Sequence, residues 1–139
     1  MRILLVALLA LAFMGCQEPI THVIEEFEPG TPKLEYTFSG TDTLNRQETE
    51  YHPNGQIFKQ GPVKNGLREG EWKAWYQDGT LWSIQNFRAG LKEGENRVWY
   101  ENGILRFEGG FKEDRRFGNW VFYDMEGDTV DTRSFTLEE

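Results

Sequence analysis

Catalysis needs a nucleophile, a proton carrier or a metal-binding set, and this 139-residue sequence offers one cysteine, two histidines and serines at 39, 83 and 134. None of Ser39, Ser83 and Ser134 lies in a Gly-x-Ser-x-Gly elbow, and His22 and His52 are too few to build a conventional triad and a metal centre. Glu93 and Glu95, like Asp124, Glu126 and Asp128, are close in sequence. With 23 acidic residues in so short a chain such neighbours are inevitable, and they describe a solvated acidic face rather than an acid–base pair. The stretch from Asp124 to Asp131 lacks the ligand spacing of a calcium loop, and His22-Val23-Ile24-Glu25-Glu26 lacks the second histidine of an inverted zinc-protease signature. There is no phosphate loop. The sequence therefore predicts a protein that is not an enzyme, with no catalytic residue, no metal and no cofactor. With 15 Lys and Arg against 23 Asp and Glu, the net charge of -8 also repels a phosphate backbone, which excludes nucleic acid as a partner.

The one residue with assignable covalent chemistry is Cys16. Arg2 supplies a positive start, Ile3 to Phe13 is an apolar run too short to span a bilayer of ~30 Å as a permanent helix, and Gly15 precedes the cysteine. Residues 1–16 resemble a bacterial lipoprotein signal, with Phe13 where such signals usually carry Leu. The resemblance implies removal of residues 1–15, a lipidated Cys16 as the new N-terminus, and membrane attachment through that lipid. Gln17 in place of an inner-membrane-retaining Asp points to the outer membrane of a Gram-negative cell envelope. Residues 17–33, with Pro19, Pro29 and Pro32 and no consistent period, read as a flexible tether behind Cys16, leaving 34–139 as the folded domain.

That domain is periodic. Gly55, Gly79, Gly103 and Gly127 are 24 residues apart, as are Tyr51, Trp75, Trp99 and Tyr123. Ile57, Leu81 and Leu105 keep the same spacing, and so do Val63, Phe87, Phe111 and Phe135, and Gly70, Gly94 and Gly118. The copies run over about 48–71, 72–95, 96–119 and a truncated 120–139. In each, a short β-prone segment such as Trp72–Tyr76 leads into a turn, Asn-Gly or Asp-Gly in the first three copies and Asp124-Met125-Glu126-Gly127 in the fourth. A longer alternating strand follows, Thr80 to Arg88 or Ile104 to Phe111, and then a linking loop, 66–70 or 90–94. A lone hairpin is marginal in water, so the copies must pair edge to edge. The predicted fold is all-β: an elongated antiparallel sheet of stacked β-hairpin repeats, opened by a cap at Leu34–Phe38 with a turn at 39–42 and closed by Thr129–Phe135.

The runs Trp75-Tyr76-Gln77-Asp78-Gly79 and Trp99-Tyr100-Glu101-Asn102-Gly103, joined to Gly70-Glu71-Trp72 and Gly118-Asn119-Trp120, resemble the MORN-repeat variant of bacterial YwqK-type antitoxin proteins. Asn96 stands where the other copies have Trp72 and Trp120, Asp114 replaces the glycine of the linking loop, and the turn at Gly127 reads as one residue longer on its tyrosine side. Tyr51, Trp75, Trp99 and Tyr123 alternate with Trp72, Ala74 and Tyr76, so either set faces a core while the other faces out, or a bulge turns both inward. If exposed, the 51/75/99/123 column is a docking surface for another protein or a glycan. Two functions follow: a lipid-anchored envelope module that binds a protein, or, as the resemblance implies, an antitoxin whose acidic surface meets a basic toxin.

Overall fold

The computed structural model describes residues 18–137. They form one open antiparallel sheet with no helix: β1 (Ile20–Glu28), β2 (Thr31–Phe38), β3 (Arg46–Tyr51), β4 (Ile57–Lys64), β5 (Leu67–Arg68), β6 (Gly70–Trp75), β7 (Leu81–Arg88), β8 (Leu91–Trp99), β9 (Leu105–Lys112), β10 (Arg115–Tyr123) and β11 (Thr129–Phe135). Strand order follows chain order, with the short β5 pairing only to β4. The expected all-β array of hairpin repeats is the observed architecture. Cys16 and the leader lie outside the described residues.

Within the segment read as a tether, Ile20–Glu28 is a strand. β1 pairs with β2 around the Pro29-Gly30 turn; Thr21 and Thr37 share a 2.8 Å hydroxyl hydrogen bond, His22 stacks on Phe38 at 5.2 Å, and Lys33 meets Glu25 at 2.9 Å. Register shifts between Val23 and Glu28 scramble the alternation that marks a strand, and Pro29 serves a turn rather than a break. The sheet therefore begins at Ile20 rather than Leu34. The linking loops shrink in the same way. The turns are Asn65-Gly66, Ala89-Gly90 and Glu113-Asp114, and residues 91–94 already belong to β8. Asp114 holds a φ of 64°, replacing glycine at a position an Asp tolerates.

Gly55, Gly79, Gly103 and Gly127 occupy the expected turns with φ of 82°, 87°, 81° and 94°, a region costly for any residue with a Cβ. Asn54, Asp78 and Asn102 accept the N–H two residues on. Glu126 is too long for that role, and Asp124 instead accepts from Glu126 and Asp128. The fourth turn is not longer than the others, since Asp124 N–H bonds to Asp128 O as Tyr76 N–H does to Thr80 O.

Two irregularities recur in every repeat. At the first, one extra residue enters the second strand of the hairpin: Trp75 opposes Leu81 while Ala74 opposes Ser83, with matching shifts at Tyr51, Trp99 and Tyr123. At the second, extra residues around Gly70, Gly94 and Gly118 lift the chain away from its neighbour, as where Gln85 faces Asn96 and Phe87 faces Lys92. That lift lets a large side chain swing over the preceding strand.

Candidate binding surface

The core of the sheet is one of its own faces. Trp72 and Trp120, exposed by only 2% and 1%, lie flat over Gly61 and Gly109, where any Cβ would come within 2.5 Å of indole carbons. Each ring is walled by phenylalanines: Trp120 meets Phe111 edge-on at 5.1 Å and Phe135 at 6.2 Å, and Trp72 meets Phe87 at 6.2 Å. Cations close the top. Arg116 sits 4.7 Å above Trp120 and 5.5 Å from Phe135; Arg68 sits 4.3 Å above Trp72 and 5.5 Å from Phe87; Lys92 lies 4.8 Å above Phe111. Arg68, Lys92 and Arg116 are one 24-residue column, and among the described residues no ion pair joins them to a carboxylate. Glu69 and Glu93 are turned to the backbone N–H groups of Ala89 and Glu113 instead. A single-layer sheet thus buries indoles by stacking rings around them and guanidinium planes over them.

The indole N–H groups complete the arrangement. Trp72 Nε1 donates to the Pro62 carbonyl at 2.9 Å and Trp120 Nε1 to the Gly110 carbonyl at 3.1 Å, carbonyls of the strand each ring crosses. In the intervening repeat the acceptor is Asn86 O, and its donor is Gln85 Nε2 at 2.9 Å. Gln85 occupies the position of Gly61 and Gly109, and Asn96 that of the tryptophans. The Trp–Gly pair has been exchanged as a unit for Asn–Gln, with an amide N–H replacing the indole N–H.

The expected docking column lies on the other face. Tyr51, Trp75, Trp99 and Tyr123 are all half-buried rather than freely exposed. Tyr51 donates to Glu35 at 2.6 Å and Tyr123 to Glu108 at 2.9 Å. Burial first, then that bond to Glu35, pushes the Tyr51 hydroxyl up to about 12, and the Glu108 contact raises that of Tyr123. The surrounding face is polar, carrying the ion pairs Lys73–Glu71 at 3.0 Å and Arg97–Glu95 at 2.7 Å. The backbone carbonyls of this column have a further duty. His52 Nε2 donates to Trp75 O at 2.9 Å, Tyr76 Oη to Trp99 O at 2.7 Å and Tyr100 Oη to Tyr123 O at 3.0 Å, clamping each repeat to the next.

Sequence reasoning missed Phe58 and Trp82, which the extra bulge residue brings onto the indole face, where Trp82 lies 6.1 Å from Phe58 and 6.0 Å from Tyr76. Their common 24-residue spacing was the available signal. Together with the interrupted tryptophan column they border an open notch of about 480 Å³ at the middle of the sheet.

Residues 47–65, 68–89 and 92–113 match the family model described as the MORN repeat variant. Three stretches of the chain, together less than half of it, are similar to the MORN repeat variant. Those matched segments cover β3 to β9 and include Gln85, Asn96 and two of the three column cations, while the hairpin 20–38 and β10–β11 extend the same sheet on either side. No curated protein and no solved structure matches the chain.

Proposed function

We propose that this protein is a non-catalytic, protein-binding repeat module held at the cell envelope by a lipid on Cys16, most simply at the outer membrane of a Gram-negative cell. The observation that carries the binding reading is the MORN-variant sheet itself, which presents an extended aromatic face with a cation column and an open notch. His52 is engaged by the Trp75 carbonyl, and Ser134 by Asn119. The anchoring part of the reading rests on residues 1–16. No helix among the described residues is long and apolar enough to cross a membrane.

The test is capture of partners from detergent-solubilised envelopes by the wild-type chain, with partners identified by mass spectrometry. An envelope protein recovered in stoichiometric amount is the expected result. Recovery of a basic toxin encoded next to this chain would replace the scaffold reading with the antitoxin one, and recovery of nothing specific would sink both.

A further inference from the structure

We propose that the notch at Asn96 is the recognition site for an acidic peptide segment of the partner, which inserts one bulky apolar side chain between flanking carboxylates. This deepens the protein-binding reading above and rests on it.

The notch lies where the tryptophan column skips a repeat. On one side stand Phe58, Ala74 and Trp82, on the other Phe107, Phe111 and Trp120. Its lining includes Asn96, which is 7% exposed and whose side-chain amide makes no hydrogen bond to any described residue. Among the described residues no fully sealed side-chain polar atom lacks a partner, so this amide reaches solvent, and Asn96 lines both the notch and a neighbouring groove with Glu95, Arg97 and Glu108. An occupant that excludes solvent there must supply the partner itself. Gln85 beside it has already given its N–H to Asn86. Asn96 is thus a free polar group in the lining of an aromatic slot, beside Ser83 and Gln85.

The charge around this slot is opposite to that of the whole molecule. The chain carries a net charge of -8, yet the residues lining the notch include Lys59, Arg68, Lys92 and Arg116 and not one Asp or Glu. Of these four, only Lys59 is neutralised, by Glu50 at 2.8 Å. Arg68, Lys92 and Arg116 stand two strands apart, a step of roughly 10 Å, or about three residues of extended polypeptide. A segment lying across the strands would meet a cation at about every third residue, and its carboxylates would displace only water.

The walls favour a peptide anchor. Phe58, Trp82, Phe107, Phe111 and Trp120 supply an aromatic slot for one bulky apolar side chain, and the cations on its border meet the acids that flank that side chain.

The experiment selects displayed random dodecapeptides on the full chain in detergent, with subtraction on the variant Gln85→Gly/Asn96→Trp, which closes the notch by restoring the arrangement of the flanking repeats. Circular dichroism and a urea transition establish that this variant folds. The expected winners carry an aromatic or large aliphatic residue with Asp or Glu about three positions to either side. Synthetic forms should lose about tenfold or more in affinity when the acids become amides, when the anchor becomes Ala, or when Lys92→Gln or Arg116→Gln is introduced. Basic or neutral winners, winners that bind the closed variant equally well, or preferential binding of oligogalacturonate would each overturn the proposal. If the envelope partner binds wild type and closed variant alike, the protein-binding reading stands and the notch falls; if neither chain captures anything, both fall.

Discussion

The exchange of Trp–Gly for Asn–Gln in the middle repeat can be reversed. In Gln85→Gly alone, Asn86 O loses its donor, at about 1–3 kcal/mol, and a strand glycine adds about 0.5–1 kcal/mol of backbone entropy. In Asn96→Trp alone, the indole meets the Gln85 side chain where its counterparts meet bare glycine, an overpacking cost of about 1–3 kcal/mol. Additivity would place the double variant roughly 2.5–7 kcal/mol below wild type. The structure argues the reverse. With both changes the indole settles on the bare backbone left at position 85, between Phe87 and Phe111 as Trp120 sits between Phe111 and Phe135, its N–H reaches Asn86 O as Trp72 reaches Pro62, and Lys92 covers it. Burying ~150–250 Å² of indole at ~25 cal/mol/Å² gives about 4–6 kcal/mol. After the glycine cost, and the loss of what Gln85 and Asn96 already bury, a net gain of about 1–3 kcal/mol remains. The singles should therefore unfold at lower urea than wild type and the double at higher urea, followed by tryptophan fluorescence. A double variant less stable than wild type, or singles whose effects simply add, would refute the claim that the two positions form one exchangeable unit.

The other predictions concern the flanking features. Gly61→Ala and Gly109→Ala each force an indole off its seat and should cost about 2–4 kcal/mol, read as a fall in urea midpoint with increased tryptophan exposure to acrylamide. The Tyr51 hydroxyl is raised in the folded protein, so the stability it contributes is complete below the unfolded value near 10 and is lost as pH rises through about 12. Tyr51→Phe should flatten the stability profile in that window, and an unchanged slope would refute the assignment. Cys16→Ser should move the chain from the detergent phase to the aqueous phase; unaltered partition would remove the lipid anchor. Trp75→Ala with Trp99→Ala should lower the urea midpoint while leaving notch peptides bound, because that column lies on the face opposite the notch.

Much of the fold was legible because one 24-residue period runs through glycines, aromatics and aliphatics together, and an array of that kind has few ways to bury its rings. The turns at Gly55, Gly79, Gly103 and Gly127 followed from side-chain chemistry alone. The hairpin 20–38 did not, because register shifts in β1 break its alternation and Pro29 looks like a terminator when it initiates a turn. The make-up of the indole face was not legible either. Tyr51, Trp75, Trp99 and Tyr123 form the conspicuous column, but they stand on the polar face, while Phe58 and Trp82 reach the indole face through an extra residue that shifts the strand's phase. Asn96 registered as a departure from the repeat. Its meaning depends on Gln85, eleven positions earlier, and only strand pairing puts the two side by side.

The clamps from His52, Tyr76 and Tyr100 to the carbonyls of the next repeat carry a consequence for how such a chain changes length. Each junction is made by the same donor position, acceptor position and register, so deletion or duplication of one 24-residue unit regenerates an intact junction at the seam. Ten strands along the sheet's path give a span of about 45 Å at 4.7–4.9 Å per strand, and each added unit would lengthen it by about 10 Å without touching the existing repeats. Reach can therefore evolve in fixed steps, while the Asn–Gln exchange in one repeat decides where along that ruler the notch falls.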